Sequence, residues 1–193
     1  MKISIAGVDE VGRGSLIGPV YAAAVIFKNN IDKKKIRDSK KLTKKNREIL
    51  EKYIKKNSYW SIGSASLNEI EKLNILNASL LAMKRAIKKL NKKPSSVLID
   101  GNKTPKIENY NLKSVVKGDE KIPEISAASI IAKVARDRLI RKLSKKFTKY
   151  KWDKNAGYGT KHHLRAIKKF GVTIYHRKTF GPIHNMLSPN KII

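Results

Sequence analysis

Hydrophobic and polar positions follow two different periods along this chain, which predict strands in some segments and helices in others. Short runs of β type occupy residues 3–8, 19–27, 59–66, 95–100 and 112–116. Apolar positions at helical spacing occupy residues 44–56, 67–90, 124–146 and 161–170. The first two strands form a hairpin, and the later ones alternate with helices. The pattern indicates an α/β fold around a mixed central sheet.

Residues at the predicted helix ends support these boundaries. Thr43 and Thr160 are suited to cap the helices that follow them, and Pro123 is suited to the first turn of the long helix. The small apolar residues in the first half of the long helix predict burial against the sheet. Beyond residue 171 no long element is predicted.

Individual side chains on these helices have predicted places as well. The face of helix 44–56 that carries Ile49, Leu50, Tyr53 and Ile54 is expected to be buried. The regularly spaced apolar residues of 67–90 are expected to pack in the core: Leu73, Leu76, Leu80, Leu81, Met83, Ala86 and Ile87. Glu124 suits the first turn of its helix, and Asp137 is expected to form an ion pair.

Length and composition bound the class of protein. A chain of 193 residues predicts one domain over 1–193, with 145–193 as a C-terminal helical segment that completes a substrate cleft. Absence of cysteine excludes disulfides and thiolate metal sites. No apolar run is long enough to span a membrane. We expect a cytoplasmic protein, with a monomer as the default.

The charge of the chain points to a polyanionic partner. Lysine and arginine number 44 against 15 acidic residues, so the formal net charge is +29. A positive field of this size attracts nucleic acid and speeds its encounter. Lysine is also abundant for compositional reasons, so part of this charge is explained by solvated surface.

The few carboxylates fall at informative places. Asp9 and Glu10 follow the first strand, Asp100 ends the fourth, and Asp119 lies in the loop before the long helix. Converging acids in a basic protein require a compensating cation, and oxygen ligands suit Mg²⁺. Two such ions would support phosphodiester hydrolysis.

Two further segments could contact phosphate. Gly12 and Gly14 permit close backbone approach, and Arg13 between them offers a forked donor. Ser39, Lys40 and Lys41 stand just before the helix at 44–56, where backbone N–H groups are available to an anion. The alternative for each segment is an ordinary solvated turn.

The histidines give no metal pattern. His162 and His163 are adjacent in sequence and predict a surface pair, while His176 and His184 have no partner at a ligand spacing. Zinc is therefore not expected.

Five blocks together resemble type 2 ribonuclease H, the bacterial ribonuclease HII. They are Asp-Glu-Val-Gly-Arg-Gly at 9–14, Asp-Ser-Lys-Lys-Leu at 38–42, Lys-Gly-Asp at 117–119, the helix segment 126–137 and Gly-Tyr-Gly-Thr at 157–160. The resemblance spans residues 3–182 and keeps the order of the family's blocks. It implies a ribonuclease H-like fold, in which helices flank a mixed five-stranded sheet, with a short C-terminal helical extension.

The resemblance also implies an activity and roles. The family cleaves RNA in RNA–DNA hybrids and cuts 5′ of single ribonucleotides in duplex DNA, leaving 3′-hydroxyl and 5′-phosphate ends. The family's four acids, which bind two Mg²⁺ or Mn²⁺ ions, correspond to Asp9, Glu10, Asp100 and Asp119. Its 2′-hydroxyl sensor corresponds to residues 12–14. Its sugar-stacking tyrosine corresponds to Tyr158.

Other interpretations remain open from the sequence. A type 3 ribonuclease H without its extra N-terminal domain would prefer continuous RNA stretches, although the intact residues 12–14 argue against it. A non-catalytic binder of hybrids would use Lys40, Lys41 and its helix faces without needing acids. A replication clamp is a candidate partner, but residues 185–193 show no clear clamp-binding motif.

Overall fold

A computed structural model describes residues 4–28, 31–37 and 42–188. Its sheet contains five strands, β1 Ile5–Val11, β2 Val20–Phe27, β3 Ser58–Ala65, β4 Ser96–Asp100 and β5 Leu112–Val115. The helices are α1 Lys34–Arg37, α2 Lys44–Lys56, α3 Leu67–Lys88, α4 Gly118–Lys121, α5 Pro123–Lys146, α6 Trp152–Asn155, α7 Lys161–Phe170 and α8 Gly181–Leu187. A 3₁₀ turn, Thr148–Tyr150, precedes α6.

The strand order is β3-β2-β1-β4-β5. β1 and β2 form the antiparallel hairpin that the sequence predicts, and β3 adds to it antiparallel. β4 lies parallel to β1, with Val8 opposite Ile99, and β5 lies parallel to β4. The mixed five-stranded sheet is thus confirmed.

Each face of the sheet has its own hydrophobic layer. Ala6 and Val8 of β1 pack with the alanine-rich side of α3. The opposite face packs with α2 and the small-residue half of α5. At Gly7 the backbone of α5 comes so close that a Cβ would overlap Glu124 and Ile125. The alternation of side chains along β1 therefore sends Gly7 and Asp9 toward α5.

The C-terminal segment contributes a third cluster around Trp152, which is fully buried. Tyr150 stacks on its indole at a centroid distance of 5.2 Å, and Phe147 lies at the same distance. Leu16 and Ile17 from the loop after β1 pack in this cluster. Residues 150–183 are thereby attached to the loop that precedes β2.

Several predicted boundaries are confirmed. Thr43 and Thr160 accept hydrogen bonds from the backbone N–H groups of Asn46 and His163, so both are true N-caps. Pro123 starts α5, and the first half of that helix is almost entirely buried. No helix in the described part of the chain is long and apolar enough to cross a membrane.

Other predictions were wrong in part. Ile49 is 59% exposed, whereas Glu51 on the same helix is buried and paired with Arg138. Leu73 is exposed because α3 is interrupted at Asn74, whose φ of 64° is not helical. In the tail, the seven-residue α8 is consistent with the expected short C-terminal helical extension, and no long element forms in the described residues beyond 171.

The predicted ion pair of Asp137 is confirmed. Its partner is Lys133, one helical turn earlier, with 2.9 Å between charged atoms. Glu124 lies in the first turn of α5 as expected, where it also pairs with Lys33 at 3.0 Å.

Candidate active site

The acidic residues Asp9 and Asp100 are neighbours because of strand register. The pairing of β1 and β4 runs as far as Val8 opposite Ile99, so the next residues along both strands are these two aspartates. Parallel neighbours stand about 4.8 Å apart, and equivalent positions face the same side. The acids lie within or at the end of their strands, not beyond them, because β1 continues to Val11.

Asp100 is connected to the turn that carries Asp119. Oδ1 of Asp100 accepts hydrogen bonds from the backbone N–H groups of Gly118, at 2.7 Å, and Asp119, at 3.4 Å. Lys117 before them adopts a left-handed conformation with φ of 55°. This turn therefore holds Asp119 beside Asp100 although 18 residues of sequence separate them.

Burial and mutual repulsion act on the acids of β1. Burial, then the charges of Glu10 and Asp100, raises the pKa of Asp9, which is 6% exposed. Burial also raises the pKa of Glu10, while Arg13 opposes that effect from 3.4 Å. Three carboxylates thus repel one another electrostatically at the carboxyl ends of the neighbouring strands β1 and β4.

The donor chemistry of these strand ends fits a hard divalent cation, since their side chains offer carboxylate oxygens and the described chain has no cysteine. Across residues 4–28, 31–37 and 42–188, however, no three histidine or acidic side chains form a ready group of metal ligands. Strand register places Asp9 beside Asp100, and the turn at Gly118 holds the backbone of Asp119 beside Asp100.

The Gly12-Arg13-Gly14 turn begins directly after β1. Gly12 has φ of 93°, and a Cβ there would overlap the side chain of Arg136, so glycine is required by the fold. Gly14 is different, because a Cβ there would lie 3.8 Å from the ring of Tyr158, an ordinary contact. Both Arg13 and Gly14 are exposed. Close approach of a ligand would explain glycine at Gly14 where the fold does not require it.

Tyr158 lies against this turn. It forms an isolated bridge with Ser15, and the N–H of Leu16 donates to the carbonyl of Gly157 at 2.8 Å. Tyr158 is 37% exposed. The structure therefore brings together Gly12, Gly14 and Tyr158, which are far apart in sequence, and the Glu10–Arg13 pair connects them with the acids.

The predicted phosphate contacts Ser39, Lys40 and Lys41 lie outside the described residues. Arg47, near the start of α2, donates to the carbonyl of Leu42 at 3.0 Å.

The prediction of a surface pair at His162 and His163 was wrong. His162 is exposed, but His163 is completely buried and faces His176, which is 1% exposed. The sequence could not show that His163 is buried. Adjacent residues on α7 point to different sides, and the side that is buried depends on a partner from another segment.

Hydrogen bonds determine the protonation of both buried rings. Nε2 of His163 accepts from the indole N–H of Trp152 at 2.8 Å, so its Nδ1 carries the proton and donates to the carbonyl of Tyr158 at 2.9 Å. Nδ1 of His176 accepts from the backbone N–H of Thr173 at 2.8 Å, which leaves its Nε2 to donate to His163 at 3.3 Å. Two neutral imidazoles thereby support the backbone of Tyr158.

This network predicts a stability that depends on pH. Burial, then the nearby His163, lowers the pKa of His176 to about 4, against about 6.5 in an unfolded chain. The unfolded state binds the proton more readily, so the stabilisation is present above pH 6.5 and decreases as pH falls toward 4. We expect His176 to account for a loss of about 2 kcal/mol between pH 7 and pH 5, measured by urea unfolding.

The substitution His176→Gln isolates this contribution, because glutamine retains an acceptor but does not titrate. Its unfolding free energy should change less between pH 7 and pH 5 than that of the wild type. His184→Gln is the matched control at an exposed position and should keep the wild-type slope. Identical slopes for all three proteins would contradict the assignment.

Two functional candidates were not recognised from the sequence, although one of them, Arg136, lies within the family-like segment 126–137. Arg136 and Arg177 are both fully buried, and both donate to the loop that contains residues 12–18. Arginine is usually exposed, so its position on a helix or in a tail gives no indication of such a role.

Comparison with known proteins agrees with this geometry. The family profile described as Ribonuclease HII matches residues 6–182. A "Ribonuclease HII" of Pelagibacter ubique is 72% identical over 187 residues, covering 97% of this chain and 100% of the relative.

Solved structures agree in fold. The ribonuclease H2 of Pyrococcus horikoshii is 26% identical, with a TM-score of 0.80 over 97% of this chain and 98% of that one. The PCNA:RNase HII complex from Archaeoglobus fulgidus is also 26% identical, with a TM-score of 0.79 over 92% and 95% of the two chains. The chain thus belongs to the ribonuclease HII family and is a hydrolase of the ribonuclease H type, which acts on RNA in RNA–DNA hybrids.

Proposed function

We propose that this enzyme cuts duplex DNA on the 5′ side of a single embedded ribonucleotide, as well as the RNA strand of longer hybrids. The products would carry 3′-hydroxyl and 5′-phosphate ends. The observation that carries the proposal is the contact between two groups of residues. The Glu10–Arg13 pair connects the acids of β1 and β4 to the exposed turn that lies against Tyr158.

The turn offers what recognition of one ribonucleotide requires. The 2′-hydroxyl is the local mark that distinguishes RNA from DNA, and it both donates and accepts hydrogen bonds. The backbone N–H and carbonyl groups of Gly14 are accessible to a sugar because Gly14 is exposed and carries no Cβ, whereas Gly12 is buried against Arg136 and supports the turn from below. The partly exposed Tyr158 supplies a flat ring on which the next sugar can stack.

The acids offer what hydrolysis requires. Asp9, Glu10, Asp100 and Asp119 would hold two Mg²⁺ or Mn²⁺ ions, which when bound supply Lewis acidity and lower the pKa of a water molecule. The backbone N–H groups of residues 118 and 119 orient the Asp100 carboxylate. Arg13 is free to exchange its exposed pair with Glu10 for a substrate phosphate, since exposed ion pairs contribute little stability.

Cleavage of a duplex DNA with one ribonucleotide tests the proposal directly. We expect a single cut 5′ of the ribonucleotide with Mg²⁺ or Mn²⁺, and none with a chelator. Cleavage of a long hybrid without that cut would favour a type 3 specificity. Binding of both substrates without cleavage of either would favour a non-catalytic protein.

Replacing Arg13 with alanine should lower selectivity for the junction between RNA and DNA more than it lowers general affinity for hybrids. The guanidinium is half exposed beside Glu10, so its removal leaves the fold intact. We expect kcat/KM on the single-ribonucleotide duplex to fall by roughly tenfold to a hundredfold, the range for one charged hydrogen-bonding group. Equal losses on this duplex and on a long hybrid would count against the role.

Arg165→Ala is a suitable control for Arg13→Ala, since Arg165 is exposed on α7. Its effect on the ratio of the two activities should be within experimental error.

Binding to a replication clamp stays a hypothesis for this chain. The Archaeoglobus fulgidus relative was solved with PCNA, and residues 189–193 of this chain lie outside the described residues.

A further inference from the structure

The guanidinium of Arg136 lies between the turn at residues 12–14 and the segment that carries Tyr158. From α5 it donates to Oγ of Ser15 at 2.6 Å and to the carbonyl of Ala156 at 3.1 Å. It also lies 5.7 Å from the ring centre of Tyr158. Its side chain occupies the space that a Cβ at Gly12 would need. One side chain thus contacts the glycine turn and the Tyr158 segment together.

Arg177 holds the same turn from the opposite side. Its Nε donates to the carbonyl of Gly18 at 2.9 Å, and its Nη1 donates to the carbonyl of Arg13 at 2.8 Å. Its own backbone N–H donates to Leu16 at 2.8 Å. The carbonyl of Arg13 is thereby fixed, and with it the peptide plane that joins Arg13 to Gly14.

Both arginines are costly to bury. Neither forms an ion pair with a carboxylate within the described residues, and Nε of Arg136 and Nη2 of Arg177 lack hydrogen-bond partners. Burial, then the charge of Arg136, lowers the pKa of Arg177 to about 9. Burying a charge without a carboxylate to pair with it costs several kcal/mol, which hydrogen bonds to carbonyl and hydroxyl oxygens offset only in part. Stability alone does not explain two of them beneath one exposed turn.

We propose that Arg136 and Arg177 are positioning residues that hold the Gly12–Gly18 turn against Tyr158 and thereby set selectivity for a single ribonucleotide. The inference rests on the proposed function, because it concerns the same turn and tyrosine that are proposed to recognise the ribonucleotide. Neither arginine touches substrate in this assignment. They act through the carbonyls of Arg13 and Gly18 and through Ser15.

The physical reason is the precision that one hydroxyl demands. A long hybrid presents many phosphates and sugars, so a displaced turn is partly compensated by other contacts. A lone ribonucleotide presents one 2′-hydroxyl, and a displacement of about 1 Å can cost a hundredfold in rate. Loss of the guanidinium hydrogen bonds should therefore lower cleavage at a single ribonucleotide far more than cleavage of a long hybrid.

The test compares Arg136→Lys and Arg177→Lys with wild type on both substrates, below the melting temperature of each protein. Lysine keeps the charge but cannot make the forked contacts. We expect each variant to lower the activity ratio, single ribonucleotide over long hybrid, by about tenfold, mainly through kcat. Arg138→Lys is the matched control on α5. Its side chain pairs with Glu51 away from the turn, and the ratio should stay within about twofold.

The outcomes separate the two proposals. If wild type fails to cut at the ribonucleotide, the proposed function and this inference both fail. If wild type cuts there but the variants lose melting temperature with an unchanged ratio, the arginines are structural and only this inference is overturned. Should a lysine variant not fold, Ser15→Ala decides, because it removes one acceptor of Arg136 and leaves the charge. A ratio unchanged in Ser15→Ala would overturn the inference.

Discussion

Replacing Asp9 with asparagine is expected to abolish cleavage while leaving substrate binding intact or stronger. The change removes the negative charge of a buried side chain that is repelled by the charges of Glu10 and Asp100. If Asp9 holds a metal ion as proposed, losing its carboxylate would remove several kcal/mol of transition-state stabilisation. We expect a decrease of roughly a thousandfold or more in kcat, equivalent to about 4 kcal/mol. Single-turnover cleavage and equilibrium binding of the same hybrid measure the two effects separately.

The fold of Asp9→Asn should be at least as stable as wild type, since asparagine has nearly the same shape and relieves repulsion among the acids. Asp32→Asn is the control, because Asp32 is exposed and its contacts, an ion pair with Lys35 and a hydrogen bond from the N–H of Lys34, are local. Wild-type turnover by Asp9→Asn would refute the assignment of this aspartate. Loss of both turnover and folding would mean that its role is structural.

Replacing Gly7 with alanine is expected to cause a large loss of stability. A Cβ at this position would overlap backbone atoms of Glu124 and Ile125, which cannot move aside as a flexible side chain can. Either β1 or α5 must shift, at a cost of about 3 kcal/mol or more. Urea unfolding at neutral pH measures it.

Activity should fall as well in the folded fraction of Gly7→Ala. Asp9 lies two residues further along the same face of β1, so a displaced α5 changes its surroundings. Gly181→Ala is the matched control, since a Cβ at Gly181 meets no atom within 4 Å. A cost at Gly7 no larger than that at Gly181 would show that the contact between β1 and α5 adapts freely.

Much of the architecture was predictable because the relevant signals are local. Periodicity and capping residues predicted α2, α5 and α7 with nearly their observed ends, since a helix depends on neighbours three and four residues away. The opening hairpin was predictable for the same reason. The acids were recognised as candidates because carboxylates at strand ends are unusual in so basic a chain. Five ordered blocks predicted the family, which the comparisons confirm.

Local patterns failed where side chains have distant partners. Glu51 is buried on α2 because Arg138 of α5 reaches it, and Ile49 is exposed because no element covers it. His163 is buried because His176 and Trp152 enclose it. Nothing within one helical turn of these residues differs from an ordinary amphipathic surface.

The amino-acid sequence by itself determined the kinds of elements, the identity of the candidate acids and turn residues, and the family. Only the tertiary structure decided that β1 and β4 run parallel in a register that makes Asp9 and Asp100 neighbours. It also decided that Arg136, 121 residues from Ser15, joins the glycine turn to Tyr158. The physical reason is that hydrogen bonds and strand register depend on positions in space, whereas sequence patterns report the neighbours along the chain.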